Sequence, residues 1–166
     1  LSDPAEVMAR IDSVEAQGST ALFGGVTKGI EELRKFFDRN RVNRVILLSD
    51  GQANVGPSSP AALAELGASL RKDGVSVSTI GIGEGYNEDL MFRLAERSDG
   101  NHSFAREPAE LAAIFQKEFG DLLSVAAQEV LVRIRCRSGS RALRVLGREA
   151  EITDGEAIVV LNQLYA

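Results

Sequence analysis

Apolar residues recur at two different periods along the first three quarters of the chain. Intervals of three or four residues between apolar positions predict helices that bury one face. Five segments show this spacing, namely 4–14, 22–37, 59–74, 87–94 and 108–126. In the last and longest of them, the face predicted to be buried consists of Leu111, Ile114, Phe115, Phe119, Leu122 and Ala126.

Three short apolar runs lie between these helices and predict strands. Residues 45–48 are continuously apolar, which is typical of a strand buried on both faces. Residues 75–82 are rich in β-branched side chains, and 102–105 can form a brief third strand. Strands that alternate with helices predict an α/β fold with an open, mostly parallel, Rossmann-like sheet flanked by helices.

The pattern changes near residue 126. Beyond it, apolar and polar side chains alternate over 129–137, and turn signals at Ser138-Gly139 and Asp154-Gly155 precede another apolar run at 157–161. The net charge also changes, from -6 over residues 1–126 to +1 over 127–166. We therefore predict an α/β domain at 1–126 and a small antiparallel β appendage at 127–166.

Composition narrows the function classes. The chain has 166 residues, 44% of them hydrophobic and 26% charged, with a net charge of -5, so nucleic acid is not the expected partner. It contains no apolar run of about 18 residues, so we expect no membrane insertion. A single cysteine, Cys136, excludes an internal disulfide. These features leave the cellular compartment undecided.

Candidate chemistry is concentrated in two loops. Ser19-Thr20 precedes a helix, and Ser49-Asp50 directly follows the buried apolar run, with Asn54 further along that loop. Ligands of open α/β sheets bind beyond the carboxyl ends of the strands, so Asp50 is placed to hold a cation. Alternatives stay open: Asp50 can cap a turn, Thr20 can cap the helix, and Ser49 and Asn54 can bond within their loops.

The sequence gives little indication of an enzyme. The glycines of residues 81–86 do not follow a dinucleotide-binding pattern, because its third glycine position is Tyr86. His102 is the one histidine, lacks an obvious serine or cysteine nucleophile context, and is expected at the surface. We therefore predict a protein that is not an enzyme.

Three motifs in this order resemble those of a von Willebrand factor type A domain: Gly18-Ser19-Thr20, Leu47-Leu48-Ser49-Asp50-Gly51 and Thr79-Ile80-Gly81-Ile82-Gly83. The resemblance covers roughly residues 1–126. It implies a metal-ion-dependent adhesion site at the upper edge of the sheet, where Mg²⁺ or another divalent cation accepts a carboxylate from a partner protein. By position, Thr20 and Asp50 are the metal ligands, with Ser19 and Asn54 supporting them.

The family's Asp-x-Ser-x-Ser loop does not occur in these 166 residues. The resemblance places that loop upstream of Leu1, so we expect a domain that lacks its first strands. With only Thr20 and Asp50 remaining, the metal site is incomplete, and we expect weak or absent cation binding by this chain.

Loss of the first strand has a consequence for association. The apolar run at 45–48 would become an exposed sheet edge, so we expect a homodimer, a strand swap, or coverage by the chain's own β appendage. The predicted function is a non-catalytic protein-interaction or cell-adhesion module whose partner presents an acidic side chain. The alternative is a regulatory or scaffold subunit of a chelatase-type ATPase assembly.

Overall fold

The computed structural model describes residues 3–15, 19–50, 53–146 and 150–166. The helices in these ranges are α1 (Pro4–Asp12), α2 (Leu22–Arg34), α3 (Pro60–Lys72), α4 (Glu88–Arg97) and α5 (Leu111–Leu123), with a 3-10 turn at Pro108–Glu110. The strands are β1 (Asn43–Ser49), β2 (Val75–Ile82), β3 (His102–Ala105), β4 (Val125–Arg135), β5 (Glu151–Thr153) and β6 (Glu156–Tyr165). None of the described helices is both long and apolar enough to cross a lipid bilayer.

Helix starts follow the capping residues of the sequence. The side chains of Asp3, Ser59 and Asn87 each accept a hydrogen bond from a backbone N–H in the first turn of α1, α3 and α4. Such caps satisfy N–H groups that have no partner inside the helix and stabilise it by about 1 kcal/mol each. These three starts agree with the sequence pattern.

The first sheet is parallel, in the order β1-β2-β3. Its register pairs Asn43 with Val75 and Ser49 with Gly81, so β1 and β2 end at the same level. This α/β arrangement, with helices packed on the sheet, confirms the predicted fold class. No other described strand pairs with the outer edge of β1, where Leu48 is 40% exposed.

The second sheet is antiparallel, in the order β4-β6-β5. Its strands pair with one another, and Gly155, with φ of +104°, makes the turn between β5 and β6. The possibility that this appendage covers the edge of β1 is wrong for the described residues, because β1 pairs with β2 alone and the strands of the appendage form a separate sheet. Association with a second chain through that edge stays a prediction.

One face of the parallel sheet holds the apolar core. Helices α2, α3 and α4 cover this face, and Val75 and Val77 of β2 lie beneath them with 1% or less of their surface exposed. Their neighbours in the buried cluster are Val26, Ile30, Leu63, Leu70, Leu90 and Leu94. Apolar burial of this kind is the main favourable term in folding, at about 25 cal/mol per Å².

A buried polar network occupies the opposite face. The guanidinium of Arg44 donates to Ser76 Oγ at 2.9 Å, to Glu118 Oε1 at 2.8 Å and to Gln163 Oε1 at 2.6 Å. The side chains of Arg44 and Glu118 are only 2% and 6% exposed. Because Gln163 belongs to β6, this network also joins the parallel sheet to the antiparallel one.

The long helix differs from its prediction. α5 ends at Leu123, and Ala126 lies in β4, while Phe119 is 52% exposed. Glu118 is the buried side chain of the helix, accepting from Ser78 Oγ and from Asn101 Nδ2, the latter at 2.9 Å. Leu111, Ile114, Phe115 and Leu122 of the predicted face are half-buried, but the apolar spacing could not show that Glu118 is the fully buried side chain.

Two more helical predictions need correction. Val7 and Ile11 of α1, and Val14 beyond its end, have helical spacing, yet they are 45%, 59% and 78% exposed, because no described residue covers them. The second helix ends at Arg34, before Phe37, whose ring packs against the core from the following turn.

Candidate functional site

The two loops singled out by the sequence lie against each other. The backbone N–H of Thr20 donates to Asn54 Oδ1 at 2.8 Å, and the N–H of Asn54 returns a bond to the Thr20 carbonyl at 3.0 Å. The N–H of Val55 donates to the same carbonyl at 3.3 Å. Thr20 is therefore fixed beside the loop that follows β1, which begins at Asp50. We use the name upper rim for the edge of the parallel sheet that is formed by residues 19–20, 50, 53–55 and 83–86.

Asp50 lies where β1 ends. Ser49, the last strand residue, is buried, whereas Asp50 itself is exposed. The loop after β2 runs beside it: a Cβ placed on Gly85 would lie 3.5 Å from the Asp50 carbonyl oxygen. The carboxylate thus belongs to an edge formed by the ends of two neighbouring strands. Gly18, Gly51 and Gln52, which flank the two loops, are outside the described residues.

Thr20 is not the cap of the helix that follows. The N-cap position of α2 is Ala21, and no side chain caps that helix end. Ser19 precedes Thr20 and is exposed, and Thr20 is half-buried. Asn54 holds Thr20 through its amide oxygen, which is the role of a supporting residue.

An aromatic cluster at the upper rim was missed by sequence reasoning. The ring of Tyr86 covers the end of β2, where a Cβ on Gly81 would lie 2.3 Å from it, so a side chain at this position would displace the ring. Tyr86 stacks on Phe104 with ring centroids 5.4 Å apart, and His102 lies edge-on to Phe92 at 6.1 Å. A glycine at a strand end followed closely by an aromatic residue was the available signal.

His102 is a bonded, half-buried strand residue, and its predicted surface position is wrong. The Thr79 hydroxyl donates to the Met91 carbonyl at 3.0 Å, so it accepts from His102 Nδ1 at 2.9 Å. His102 Nε2 then accepts from the Tyr86 hydroxyl at 3.4 Å. Burial lowers the pKa of His102 below 6.5, and the Glu88 carboxylate acts in the opposite direction.

The donor set at the rim is small for a metal ion. Thr20 offers a hydroxyl and Asp50 a carboxylate, while the Asn54 amide oxygen already accepts from Thr20. Among the residues that the structure describes, no group of three or more His, Cys, Asp or Glu side chains is placed to hold a metal. Mg²⁺ takes about six oxygen ligands in octahedral geometry. The described residues alone therefore do not meet its coordination demand.

Comparison with known proteins relates the chain to one family. The family model of the von Willebrand factor type A domain matches residues 1–117. The uncharacterised protein YfbK of Escherichia coli is 34% identical over 134 residues, which are 80% of this chain. The chain spans only 23% of the length of YfbK.

Comparison with solved structures leads to the same family. The von Willebrand factor type A protein from Catenulispora acidiphila is similar in fold over 98% of this chain and 39% of its own, with a TM-score of 0.75 and 20% identity. Proximal thread matrix protein 1 from the mussel byssus was solved with zinc in its metal-ion-dependent adhesion site (MIDAS) motif. It is 28% identical to this chain, and the match covers 70% of this chain and 28% of the mussel protein, with a TM-score of 0.50. The chain belongs to the von Willebrand factor type A domain family, whose members are protein-interaction modules, some of them with a metal-ion-dependent adhesion site.

Proposed function

We propose that this chain is a non-catalytic protein-interaction module whose contact surface is the upper rim. The observation that carries the proposal is the pairing of Thr20 with Asn54, which fixes a hydroxyl-bearing loop beside the loop of Asp50. The loop of Asp50 extends beyond the carboxyl end of β1, where α/β sheets bind their ligands, and the loop of Thr20 is hydrogen-bonded to it. The proposed partner presents an acidic side chain to the upper rim. Binding a partner protein in this way would give the chain a role in adhesion.

The proposed cation site is shared with residues that this chain does not supply. Thr20 and Asp50 would be two of its oxygen ligands, and an Asp-x-Ser-x-Ser loop would provide the others. A divalent cation in such a site supplies positive charge to which a partner carboxylate binds. The zinc-containing mussel relative supports this proposal, because it belongs to the same family and holds a metal at its MIDAS motif.

The absence of catalysis is part of the proposal. A hydrolytic site needs a nucleophile whose proton a neighbouring base can accept. Both ring nitrogens of His102 are engaged, one by the Thr79 hydroxyl and the other by the Tyr86 hydroxyl. The Thr79 hydroxyl is fully buried and already donates to a carbonyl, so it is not available to attack a substrate.

Calorimetric titration with Mg²⁺ tests the shared site. The chain alone is expected to show no stoichiometric uptake at micromolar concentration. A chimera that carries the MIDAS strand and loop of the mussel protein ahead of Leu1 is expected to bind Mg²⁺ at that concentration. Asp50→Ala should abolish this uptake, and Glu65→Ala on the exposed face of α3 should not. Tight binding by the chain alone, or an unaffected Asp50→Ala chimera, would contradict the proposal.

A further inference from the structure

A cleft lies between the two sheets, at the end of the parallel sheet opposite the upper rim. It is formed by two cavities of about 560 and 850 Å³, which share Arg39, Arg41, Gln128 and Glu129 in their walls. A pocket for a small ligand typically measures about 300–1,000 Å³. Together, the two cavities offer more space than a single small ligand needs, which leaves room for a stretch of polypeptide.

The wall shared by the two cavities is fixed by hydrogen bonds. In the amide orientation that satisfies both groups, Gln128 of β4 donates to the Arg39 carbonyl at 3.2 Å and accepts from the Val42 N–H at 3.3 Å. These bonds tie the segment before β1 to the antiparallel sheet. The cleft therefore has its shape before any ligand binds, which lowers the entropy cost of binding.

The walls of the smaller cavity are basic in an acidic protein. Four cationic side chains and two acidic ones line it: Arg39, Arg41, Arg71, Lys72, Asp73 and Glu129. The whole chain, by contrast, has a net charge of -5. Ion pairs offset part of the charge of both signs, because Asp73 pairs with Arg34 at 2.9 Å and Arg41 pairs with Asp38 at 3.4 Å. Complementary charge of this kind steers a partner and selects it by sign.

The same cavity has an apolar side. Leu131 of β4 and Val160 of β6 are cross-strand neighbours, and they are 55% and 52% exposed although both line the cavity. Phe37 contributes a half-buried ring. A ligand that covers these side chains must carry apolar groups as well as negative charge. A nucleic-acid backbone offers only the charge.

We propose that this cleft binds an acidic peptide segment of a partner protein, with interleaved apolar residues. The carboxylates of the segment pair with Arg39 and Lys72, and the guanidinium of Arg39 offers them bidentate geometry. Its apolar side chains cover Leu131 and Val160. This surface is separate from the upper rim, so the proposal does not depend on a cation or on the rim's partner.

Fluorescence anisotropy with the full chain tests the proposal. The probe is a labelled peptide of about ten residues in which Glu and Leu alternate, a length that an extended binding groove accommodates. We expect saturable binding that weakens as salt is added. Arg39→Glu should weaken binding about tenfold, because a like charge then faces the carboxylates. Glu129→Gln should strengthen it, because it removes a negative charge from the cleft.

Matched controls separate charge at the cleft from charge in general. Arg10→Glu, on the exposed helix α1, changes the net charge equally and should leave the affinity unchanged. A peptide in which Lys replaces Glu should not bind. Circular dichroism establishes that each variant is folded. The proposal is overturned if the Glu-Leu peptide does not saturate, if Arg10→Glu weakens it as much as Arg39→Glu, or if a single-stranded DNA oligonucleotide binds equally well with the same sensitivity to Arg39→Glu.

Discussion

The two faces of the parallel sheet are closed by different physical means. On one face, three helices cover a cluster of buried apolar side chains. Leu63 and Val77 belong to this cluster, and each of these two residues is 1% exposed or less. On the other face, an arginine and a glutamate are buried together under a single helix. On the apolar face, a substitution should lower the free energy of unfolding in proportion to the buried apolar area that it removes. On the polar face, stability depends on every hydrogen-bonding partner being present.

The largest expected effect comes from breaking the buried ion pair. Arg44→Met leaves the Glu118 carboxylate buried without its cation, and removing one partner of such a pair costs about 3–5 kcal/mol. Urea denaturation should show this loss in the free energy of unfolding. Arg93→Met, at an exposed pair with Asp89, should change it by no more than about 0.5 kcal/mol.

A double variant sharpens the test of this face. Arg44→Met with Glu118→Leu removes both charges and should recover part of the stability lost in the single variant, because no unpaired charge remains. A coupling energy of about 1 kcal/mol or more is expected between the two positions. Additive losses would show that the two side chains do not act as a pair.

On the apolar face, Leu63→Ala should lower the free energy of unfolding by about 3 kcal/mol, since Leu63 is 1% exposed and its loss leaves a cavity. The same denaturation experiment measures it. Leu143→Ala is the control, because Leu143 is 76% exposed and should change stability by less than about 0.5 kcal/mol. A loss of similar size at both positions would contradict the assignment of the core.

The edge of the sheet gives a prediction about association. Leu48 lies on β1, whose outer edge pairs with no other described strand, and is 40% exposed, so we expect a second chain to cover this edge. Sedimentation velocity should then detect a dimer at high concentration. Leu48→Lys should shift it toward monomer, whereas Phe36→Lys, in an exposed turn after α2, should not. A monomer at every concentration would contradict this expectation.

The smallest expected effect is a pH dependence at His102. Its pKa is lowered in the folded protein, so the unfolded chain binds the proton more readily, and stability falls as the pH drops below about 6.5. His102→Gln removes this contribution. Between about pH 7.5 and 5.5, the melting temperature of the wild type should fall more than that of the variant. Equal slopes would show that His102 does not titrate differently on folding.

The sequence predicted the apolar face better than the polar one. The continuous apolar run within β1 and the apolar spacing of α3 are local patterns, and the meeting of the two rim loops was expected from the family resemblance. The polar network could not be predicted, because Arg44 lies 74 residues from Glu118 and 119 from Gln163 along the chain. The position of His102 was missed for the same reason, since its contacts come from other strands and loops.

The central claim is that Thr20 and Asp50 offer cation ligands at one place on the upper rim. Paramagnetic Mn²⁺, titrated at millimolar concentration into the ¹⁵N-labelled chain, tests it most directly, because even weak binding broadens nearby amide signals. We predict that broadening concentrates at residues 19–20, 50 and 53–55, and that Asp50→Asn removes it while Glu65→Gln does not. Broadening that is centred elsewhere, or that survives in Asp50→Asn, would contradict the account.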